Sequence, residues 1–214
     1  MIRLIVLDMD GVVFARPNFW LDVHVAMGTV EQGLDLWRRL AKRDYPEMSR
    51  QTAELWRGRS ASAYLRLVAE REFVPDIAHI PAFARARGIK TAIVSSGSWH
   101  LAQRARRELG IDIARANRLG IDRSRRFDGD LDLQVDDNHK DVAVGLVQDR
   151  LGVHPQETVV IGDSASDVAM LARAAFGVGY RVDDDKARAA FRVSIDSGSI
   201  ARAISAIDEH ALVA

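Results

Sequence analysis

Four groups of polar residues occur in the sequence where strands are expected to end or helices to begin. They are Asp8 with Asp10, Ser95, Lys140, and Asp163 with Asp167. Carboxylates, hydroxyls and amines are the groups with which proteins hold cations and transfer protons or phosphoryl groups. A single carboxylate after a strand is often only a turn or capping residue. Four such groups, in order along one edge of a sheet, instead indicate a single site.

The elements that precede these groups are short apolar runs. Residues 2–7 form a β-branched run that ends at Asp8, residues 90–95 form another, and residues 158–161 lead into Gly162 and Asp163. Each run has the length and composition of a buried strand. Helical patterns lie between the runs, so the sequence predicts an α/β fold with a doubly wound, Rossmann-like parallel sheet. Ligands bind outside the carboxyl ends of the strands in such sheets, which is where the polar groups fall.

Further elements extend the alternation of strands and helices. Apolar spacing and following glycines predict helices over residues 82–87, 99–109, 140–151, 168–174 and 199–212. Short strands are predicted at residues 176–180 and 192–195. Within residues 112–135, the pair Asp128-Gly129 separates extended stretches and predicts a β-hairpin.

A block of helical spacing, residues 18–72, interrupts the alternation shortly after the first strand. Apolar residues recur there at helical intervals, and no strand pattern intervenes. We therefore expect a helical cap inserted after strand one, with a core domain of residues 1–15 and 78–214 and a cap of residues 16–77. At the carboxyl edge of the sheet, this cap would cover the polar groups like a lid.

The composition limits the classes of partner and reaction. Lys and Arg together number 30, as do Asp and Glu, so the formal net charge is zero and a strongly basic nucleic-acid binder is disfavoured. The chain contains no cysteine, which excludes a thiolate nucleophile and a cysteine zinc site and is compatible with a cytoplasmic location. The sequence shows no targeting pattern and no run of apolar residues long enough for a membrane span, so neither is expected.

Together the four groups resemble the motifs of the haloacid dehalogenase-like phosphohydrolases. Residues 8–13 (Asp-Met-Asp-Gly-Val-Val) are similar to the first motif, residues 93–97 (Ile-Val-Ser-Ser-Gly) to the second, Lys140 to the third, and residues 162–167 (Gly-Asp-Ser-Ala-Ser-Asp) to the fourth. Residues 116–119 and the helical cap are most similar to the phosphoserine-phosphatase-like branch. The resemblance therefore implies a Rossmann-like core with the motifs at one edge.

The resemblance also implies a magnesium-dependent phosphomonoesterase that acts on a small phosphorylated metabolite. Asp8 would attack phosphorus and form an aspartyl-phosphate. Asp10 would protonate the leaving alkoxide and then deprotonate the attacking water. Ser95 would donate a hydrogen bond to a phosphoryl oxygen, and Lys140 would add a positive charge.

By the same resemblance, Mg²⁺ would be held by Asp8, the backbone carbonyl of Asp10, and Asp163. Asp167 would act either as an outer-shell ligand or as the partner of Lys140. Elementary electrostatics agrees with a cation here. Repulsion between a phosphate dianion and a carboxylate about 4 Å away costs roughly 4 kcal/mol per unit-charge pair at an effective dielectric near 20. A divalent cation removes that repulsion.

Substrate-binding residues are expected on both sides of the site. The backbone at Ser96 and Gly97 can approach phosphoryl oxygens closely, because Gly97 lacks a side chain. Arg16 and Arg50 are the candidates from the cap, although each is one of 26 arginines and a surface position is the alternative. Other polar or aromatic cap residues are further candidates: Asn18, Trp20 and Arg57.

The sequence departs from phosphoserine phosphatases at two places. That family places a Glu shortly after the nucleophile to bind the substrate amine, and here the position falls near Pro17 with no Glu present. In the fourth motif, Ser166 stands where Asn is usual. We therefore predict a small phosphomonoester substrate other than phosphoserine.

Several alternatives are compatible with parts of the pattern. A phosphomutase or phosphotransferase of the same superfamily would use the same aspartyl-phosphate and pass the phosphoryl group to an acceptor other than water. A response-regulator receiver also phosphorylates an Asp in a parallel sheet, but that Asp follows a later strand and a cap would be unexplained. An inactive scaffold is disfavoured because the motif residues are retained. We expect a monomer or homodimer without nucleic-acid or membrane partners.

Overall fold

A computed structural model of the chain describes residues 1–213, and the side chains of residues 1–209. Its strands are β1 (Leu4–Leu7), β2 (Lys90–Ser98), β3 (Ile113–Ile121), β4 (Phe127–Asp132), β5 (Thr158–Gly162), β6 (Phe176–Tyr180) and β7 (Val193–Ile195). They form one sheet in the order β4-β3-β2-β1-β5-β6-β7. β4 pairs antiparallel with β3, and all other neighbours are parallel. This topology confirms the predicted α/β fold with a doubly wound parallel sheet, to which β4 is added as an antiparallel edge strand.

The helices lie between the strands and form one block after β1. They are α1 (Phe19–Met27), α2 (Val30–Leu40), α3 (Tyr45–Leu55), α4 (Ser62–Glu70), α5 (His79–Ala86), α6 (Trp99–Leu109), α7 (Lys140–Leu151), α8 (Asp185–Ala190) and α9 (Arg202–Val213). Two 3₁₀ helices span Pro155–Glu157 and Ala165–Arg173. We call α1–α4 the cap helices. Among the described residues, none of the helices combines the length and apolar character needed to span a bilayer.

The central strand is buried on both of its faces. Ile5 and Leu7 contribute to one apolar cluster, and Leu4 and Val6 contribute to a second cluster on the opposite face. All four side chains are inaccessible to solvent. A parallel strand covered on both faces reads as a continuous apolar run, which is why the run before Asp8 shows no alternation.

The cap helices pack around a set of aromatic side chains. Trp56 and Tyr64 are fully buried. The Tyr64 ring lies 5.8 Å from the ring of Phe19 and 5.5 Å from that of Phe127, which belongs to β4. Each aromatic side chain buries a large apolar area, so this cluster stabilises the cap against the sheet.

The two chain segments that join the cap helices to the sheet run side by side. Val74 N–H donates to the carbonyl of Val13 at 2.9 Å, and Ala15 N–H donates to the carbonyl of Glu72 at 3.0 Å. The rings of Phe14 and Phe73 stack with their centroids 4.7 Å apart. The chain therefore leaves and re-enters the core at one place.

The cap helices also contact the β3–β4 hairpin. Gly58 N–H donates to the carbonyl of Phe127 at 2.7 Å, and Phe127 N–H donates to the carbonyl of Arg59 at 3.0 Å. The guanidinium of Arg126 donates to the carbonyl of Gly58 at 2.6 Å. Backbone pairing thus fixes the loop after α3 to the sheet at a second place.

The hairpin forms as predicted, but the prediction of its turn at Asp128-Gly129 is wrong. The chain reverses over residues 122–126, where Asp122 Oδ1 accepts a hydrogen bond from Arg126 N–H at 2.8 Å and Arg125 takes a left-handed φ of 59°. An Asp side chain that bonds to the following backbone sets a turn without glycine. Gly129 lies within β4, where a Cβ would come within 2.4 Å of the Arg57 guanidinium.

Other boundaries differ more modestly from the predictions. The segment predicted at residues 168–174 is the 3₁₀ helix Ala165–Arg173, and α8 was not predicted. The last helix begins at Arg202, and residue 214 lies outside the described residues. The division into a core of residues 1–15 and 78–214 and a cap of residues 16–77 stays a prediction.

Candidate active site

Three neighbouring strands bring the sequence-predicted residues to one edge of the sheet. β1 pairs with β2 on one side and with β5 on the other. Asp8 directly follows β1, and its N–H donates to the carbonyl of Ile161 in β5 at 2.9 Å. Ser95 lies in β2, and Asp163 follows β5. Because all three strands are parallel, their carboxyl ends meet here.

Lys140 begins α7, and its side chain reaches this edge of the sheet. Its side chain is 3% exposed, and Nζ donates to Asp8 Oδ1 at 2.8 Å and to Asp167 Oδ1 at 2.7 Å. Asp137 Oδ1 lies 3.9 Å from the same Nζ. Burial alone lowers the pKa of Lys140, but the carboxylates of Asp167 and Asp8 outweigh it and hold that pKa well above its usual value. Lys140 is therefore a fixed positive charge.

Asp8, Asp163 and Asp167 form a cluster of carboxylates. One oxygen from each lies within 4.8 Å of the others. Burial, together with the neighbouring carboxylates and against the opposing charge of Lys140, raises the pKa of Asp8 to about 8 and that of Asp163 to about 9. Clustered, desolvated carboxylates are unfavourable without a cation.

The donor set of this cluster fits a hard divalent cation such as Mg²⁺, because every side-chain donor is an oxygen. Asp167 Oδ2 accepts hydrogen bonds from the Asp163 and Ser164 N–H groups and from Ser164 Oγ, each at 3.0 Å, and its Oδ1 is bound to Lys140. Both Asp167 oxygens are therefore engaged. The carboxylate of Asp163 accepts no hydrogen bond from any described residue, so it is open to a cation. Asp8 Oδ2 likewise accepts no hydrogen bond from the described residues, and Asp8 lines the cavity.

Two glycines allow the loops to approach each other closely at the site. Gly11 has φ +87°, and a Cβ there would lie 1.9 Å from Asp163 Oδ2. A Cβ at Gly97 would lie 2.5 Å from Met9 Cε and 3.1 Å from Ser95 Oγ. A side chain at either position would displace the residues of the site.

Asp10 has one satisfied oxygen and one unsatisfied oxygen. Oδ2 accepts a hydrogen bond from Phe19 N–H, at the start of α1, at 3.3 Å. Oδ1 is buried without a hydrogen-bond partner and lies 3.6 Å from the Arg71 guanidinium. Burial raises the pKa of Asp10 to about 6, and Arg71 opposes that rise. A carboxyl group with such a pKa can both give and take a proton near neutral pH.

The residues after Ser95 join the sheet to the cap helices. Ser95 Oγ accepts a hydrogen bond from Gly97 N–H at 3.1 Å. The carbonyl of Ser96 accepts from Trp20 Nε1–H at 3.2 Å, from Tyr45 Oη–H at 3.2 Å and from the Asn117 side-chain amide at 3.1 Å. One peptide thus connects α1, α3 and β3 at the site.

A cavity of about 610 Å³ opens above these residues and extends between the cap helices. Its lining includes Asp8, Asp10, Ser95, Ser96, Gly97, Lys140 and Asp163. The structure therefore brings the motif residues together around one space. The neighbouring Asp167 is completely buried behind them.

The two arginines predicted from the cap do not line this cavity. The guanidinium of Arg16 is exposed and pairs with Asp22 at 3.1 Å, and that of Arg50 is exposed and pairs with Glu47. In each case a carboxylate on α1 or α3 holds the guanidinium outside the cavity. Trp20, one of the further candidates from the cap, does line the cavity.

Sequence reasoning missed several residues that complete the site. Arg71, which directly follows α4, is 5% exposed and pairs with Asp22 and Asp10. Tyr45 and Asp137 line the cavity, and Asp137 accepts a hydrogen bond from Ser96 Oγ at 2.8 Å. The stretch of residues 116–119 was the only sequence signal that pointed toward Asn117.

Comparison with known proteins gives consistent results. A sequence profile described as haloacid dehalogenase-like hydrolase matches residues 5–172. A phosphoserine phosphatase from Albidiferax ferrireducens is 30% identical over 168 residues, which cover 74% of this chain and 69% of that protein. One from Archaeoglobus fulgidus is 25% identical over 85% of this chain and 53% of its own length, so the chain spans about half of that relative. A solved phosphoserine phosphatase, a phospho-aspartyl intermediate analogue, has the same fold, with a TM-score of 0.81, 18% identity and coverage of 95% of this chain and 98% of the other.

Proposed function

The chain belongs to the haloacid dehalogenase-like hydrolases, and on that basis we propose that it is a magnesium-dependent phosphomonoesterase that uses an aspartyl-phosphate on Asp8. The observation that carries this proposal is the arrangement around Asp8. Its Oδ1 is held by the buried ammonium of Lys140, whereas its Oδ2 is free at the base of the cavity. An oriented carboxylate with one free oxygen is what an in-line attack on phosphorus requires.

Asp8, Asp163 and the backbone carbonyl of Asp10 would hold Mg²⁺. When bound, the cation neutralises the repulsion between the nucleophile and the phosphate dianion and favours the ionised forms of the carboxylates. Asp167 would hold Lys140 and the backbone of residues 163–164 in place, which is the role that its four hydrogen bonds support.

In the first step, Asp8 Oδ2 forms a bond to phosphorus as the bond from phosphorus to the substrate oxygen breaks. Asp10, which lines the cavity, gives its proton to the departing alkoxide. Lys140 stays protonated throughout and offsets negative charge on the phosphoryl oxygens. Ser95 Oγ, whose lone pair accepts from Gly97 N–H, has its hydroxyl proton available for the same oxygens.

In the second step, Asp10 takes a proton from water, and the water oxygen attacks phosphorus. The bond between phosphorus and Asp8 breaks, which releases inorganic phosphate and regenerates both carboxyl groups. The substrate would be a small phosphorylated metabolite other than phosphoserine, because Pro17 lines the cavity where an amine-binding Glu is expected.

The test is phosphate release from a panel of phosphorylated metabolites that includes phosphoserine, sugar phosphates and phosphoglycolate. Each is measured with Mg²⁺, with EDTA, and with the variant Asp8→Asn. We expect hydrolysis of at least one ester that requires both Mg²⁺ and Asp8. Mass spectrometry of the quenched reaction should show a phosphoryl adduct on the peptide that contains Asp8. Undiminished turnover by Asp8→Asn would overturn the covalent mechanism, and a preference for phosphoserine over every other ester would overturn the substrate inference.

A further inference from the structure

The cap end of the cavity is walled by large apolar side chains. The walls come from α1–α3 and from the residue after α3, and they comprise Trp20, Leu21, Leu34, Trp37, Met48 and Trp56. Leu21 and Leu34 are each 40% exposed and Trp37 is 60% exposed, so the apolar wall continues to the surface. Apolar side chains that line a cavity and remain exposed mark a surface that is covered by a ligand or partner. The volume of about 610 Å³ is far larger than a phosphoryl group needs and falls within the roughly 300–1,000 Å³ of sites for drug-sized ligands.

Most polar groups on this wall already donate their hydrogen bonds within the protein. Trp20 Nε1–H and Tyr45 Oη–H both donate to the Ser96 carbonyl. Ser49 Oγ–H donates to the Tyr45 carbonyl at 2.9 Å, and Thr52 Oγ1–H donates to the Met48 carbonyl at 2.9 Å. Because these donors are already hydrogen-bonded within the protein, they contribute little polarity to the space between the helices.

His24 adds a hydrogen-bond donor to the same wall. Trp56 Nε1 can only donate, so Thr29 Oγ1 accepts its proton at 3.0 Å. Thr29 is fully buried, so its own hydroxyl proton needs an acceptor within the protein. Among the described residues, His24 Nδ1 is that acceptor, at 2.9 Å. This hydrogen-bond pattern assigns the His24 proton to Nε2, and burial lowers the pKa of His24, which keeps the ring neutral. His24 and Gly33, against which the ring packs, both line the cavity.

The charges that line the cavity are segregated. The lining carboxylates are Asp8, Asp10, Asp137 and Asp163, and all four surround the phosphoryl end. At the cap end, the described lining residues come from α1–α3 and from the loop between α2 and α3, and the charged one among them is Lys42. Lys42 has no ion-pair partner among the described residues. A substrate ammonium at the cap end would therefore meet a lysine, an N–H donor and apolar walls, and would lose its hydration without a counter-ion.

We propose that this cavity selects phosphomonoesters whose alcohol carries a bulky apolar group, of the size of an aromatic ring, and no ammonium group. The proposal rests on the proposed phosphomonoesterase function, because the motif residues must hold the phosphoryl end. The apolar group lies between α1, α2 and α3, against Trp20 and Trp37. This assignment accounts for the exposed apolar residues and the segregated charges together.

Three esters with alkyl leaving groups test the proposal in wild-type protein. They are 2-phenylethyl phosphate, ethyl phosphate and 2-aminoethyl phosphate, which differ in the group that reaches the cap helices. We expect kcat/KM for the phenyl ester to exceed that for the ethyl ester by about tenfold or more, as apolar pockets discriminate by size. The aminoethyl ester should fall below the ethyl ester. Equal or higher kcat/KM for the aminoethyl ester than for the phenyl ester would overturn the proposal.

A pair of matched variants locates the selectivity in the cavity. Leu34→Glu places a carboxylate on the wall, and Val25→Glu places one at a residue that is 63% exposed on α1 and outside the lining. Leu34→Glu should reduce the ratio of kcat/KM for the phenyl ester to that for the aminoethyl ester by about tenfold or more, whereas Val25→Glu should leave it unchanged. An equal change in both variants would contradict the assignment of the cap end.

A binding measurement separates the failure of this inference from the failure of the proposed function. Three of the lining residues are tryptophans, so intrinsic fluorescence reports occupancy. The probes are the non-hydrolysable 3-phenylpropylphosphonate and 3-aminopropylphosphonate, each titrated in the presence of Mg²⁺. If the phenyl probe binds about tenfold more tightly while no ester is hydrolysed, the proposed function fails and the cavity inference stands. If esters are hydrolysed but neither assay shows the apolar preference, the inference fails and the function stands.

Discussion

The buried guanidinium of Arg71 lies 3.6 Å from the carboxylate of Asp10 and connects it to the segment that leads into the cap helices. The same guanidinium pairs with Asp22 and donates to the carbonyls of Arg16 and Pro17. Arg71 lies at the carboxyl end of α4. It thus holds in place both Asp10, the proposed acid–base residue, and the segment that leads into α1.

Replacement of Arg71 by Met should destabilise the protein strongly. Asp22 would lose a buried cationic partner, and two carbonyls would lose their donor, so the free energy of unfolding should fall by about 3 kcal/mol or more. Urea denaturation measures this change. Arg66→Met, at an exposed position of α4, is the control and should change the free energy of unfolding by less than about 0.5 kcal/mol. Similar values for both variants would show that the Arg71 network contributes little.

Replacement of Lys140 by Ala should reduce turnover more than substrate binding. The ammonium is positioned to offset charge that grows on the phosphoryl oxygens, and loss of one such donor costs roughly 10²–10³-fold in kcat. Steady-state kinetics on the preferred ester measures this effect. Lys186→Ala, an exposed lysine remote from the motif residues in sequence, is the control. A change in KM with kcat preserved would indicate ground-state binding instead of charge stabilisation during transfer.

Mg²⁺ should raise the thermal stability of the protein through Asp163. A ligand that binds the folded chain alone stabilises it by mass action, and the carboxylates of Asp8 and Asp163 are the groups that would bind Mg²⁺. Calorimetry should show a Tm that rises with Mg²⁺ concentration and returns to its initial value with EDTA. Asp163→Asn should lose most of this rise, and Asp149→Asn, at an exposed position on α7, should keep it. A full rise in Asp163→Asn would place the cation elsewhere.

The stability of the cap helices should depend on the protonation of His24. Burial lowers the pKa of His24 below its ordinary value near 6.5, so the unfolded chain binds more protons than the folded chain as the pH falls through that value. The contribution of neutral His24 to the free energy of unfolding is therefore fully present above pH 6.5 and is lost progressively below it. Comparison with His24→Gln isolates this contribution from that of the acidic cluster. The difference in unfolding free energy between wild type and variant should shrink between pH 7.5 and 5.5, and a difference independent of pH would contradict the assignment.

Residues whose role follows from their place along a strand could be predicted from the sequence. Asp8, Ser95 and Asp163 each stand at the end of an apolar run, and parallel pairing of β1, β2 and β5 brings them together without further information. The helical insertion could also be predicted, because the spacing of apolar residues along the sequence changes there from that of a strand to that of a helix.

Residues whose role depends on contacts between distant segments could not be predicted. Arg71 is one of 26 arginines, and its pairing with Asp10 and Asp22 depends on how α4 returns to the sheet. Arg16 and Arg50 have the same side chain but are held outside the cavity by Asp22 and Glu47. Charge alone does not separate these cases, because burial and partner geometry decide them.

The paired segments at Val13–Val74 and Ala15–Glu72 have a consequence for engineering. Since the chain departs and returns at one paired position, the ends of any inserted segment are already held together, and closing a longer or shorter insertion there changes the loop entropy only slowly with length. Helices of a different shape could therefore be grafted between residues 15 and 71 while the sheet and the motif residues keep their places. A graft that retains Arg71 would keep Asp10 in position, so recognition of the alcohol could be redesigned separately from cleavage of the phosphate ester.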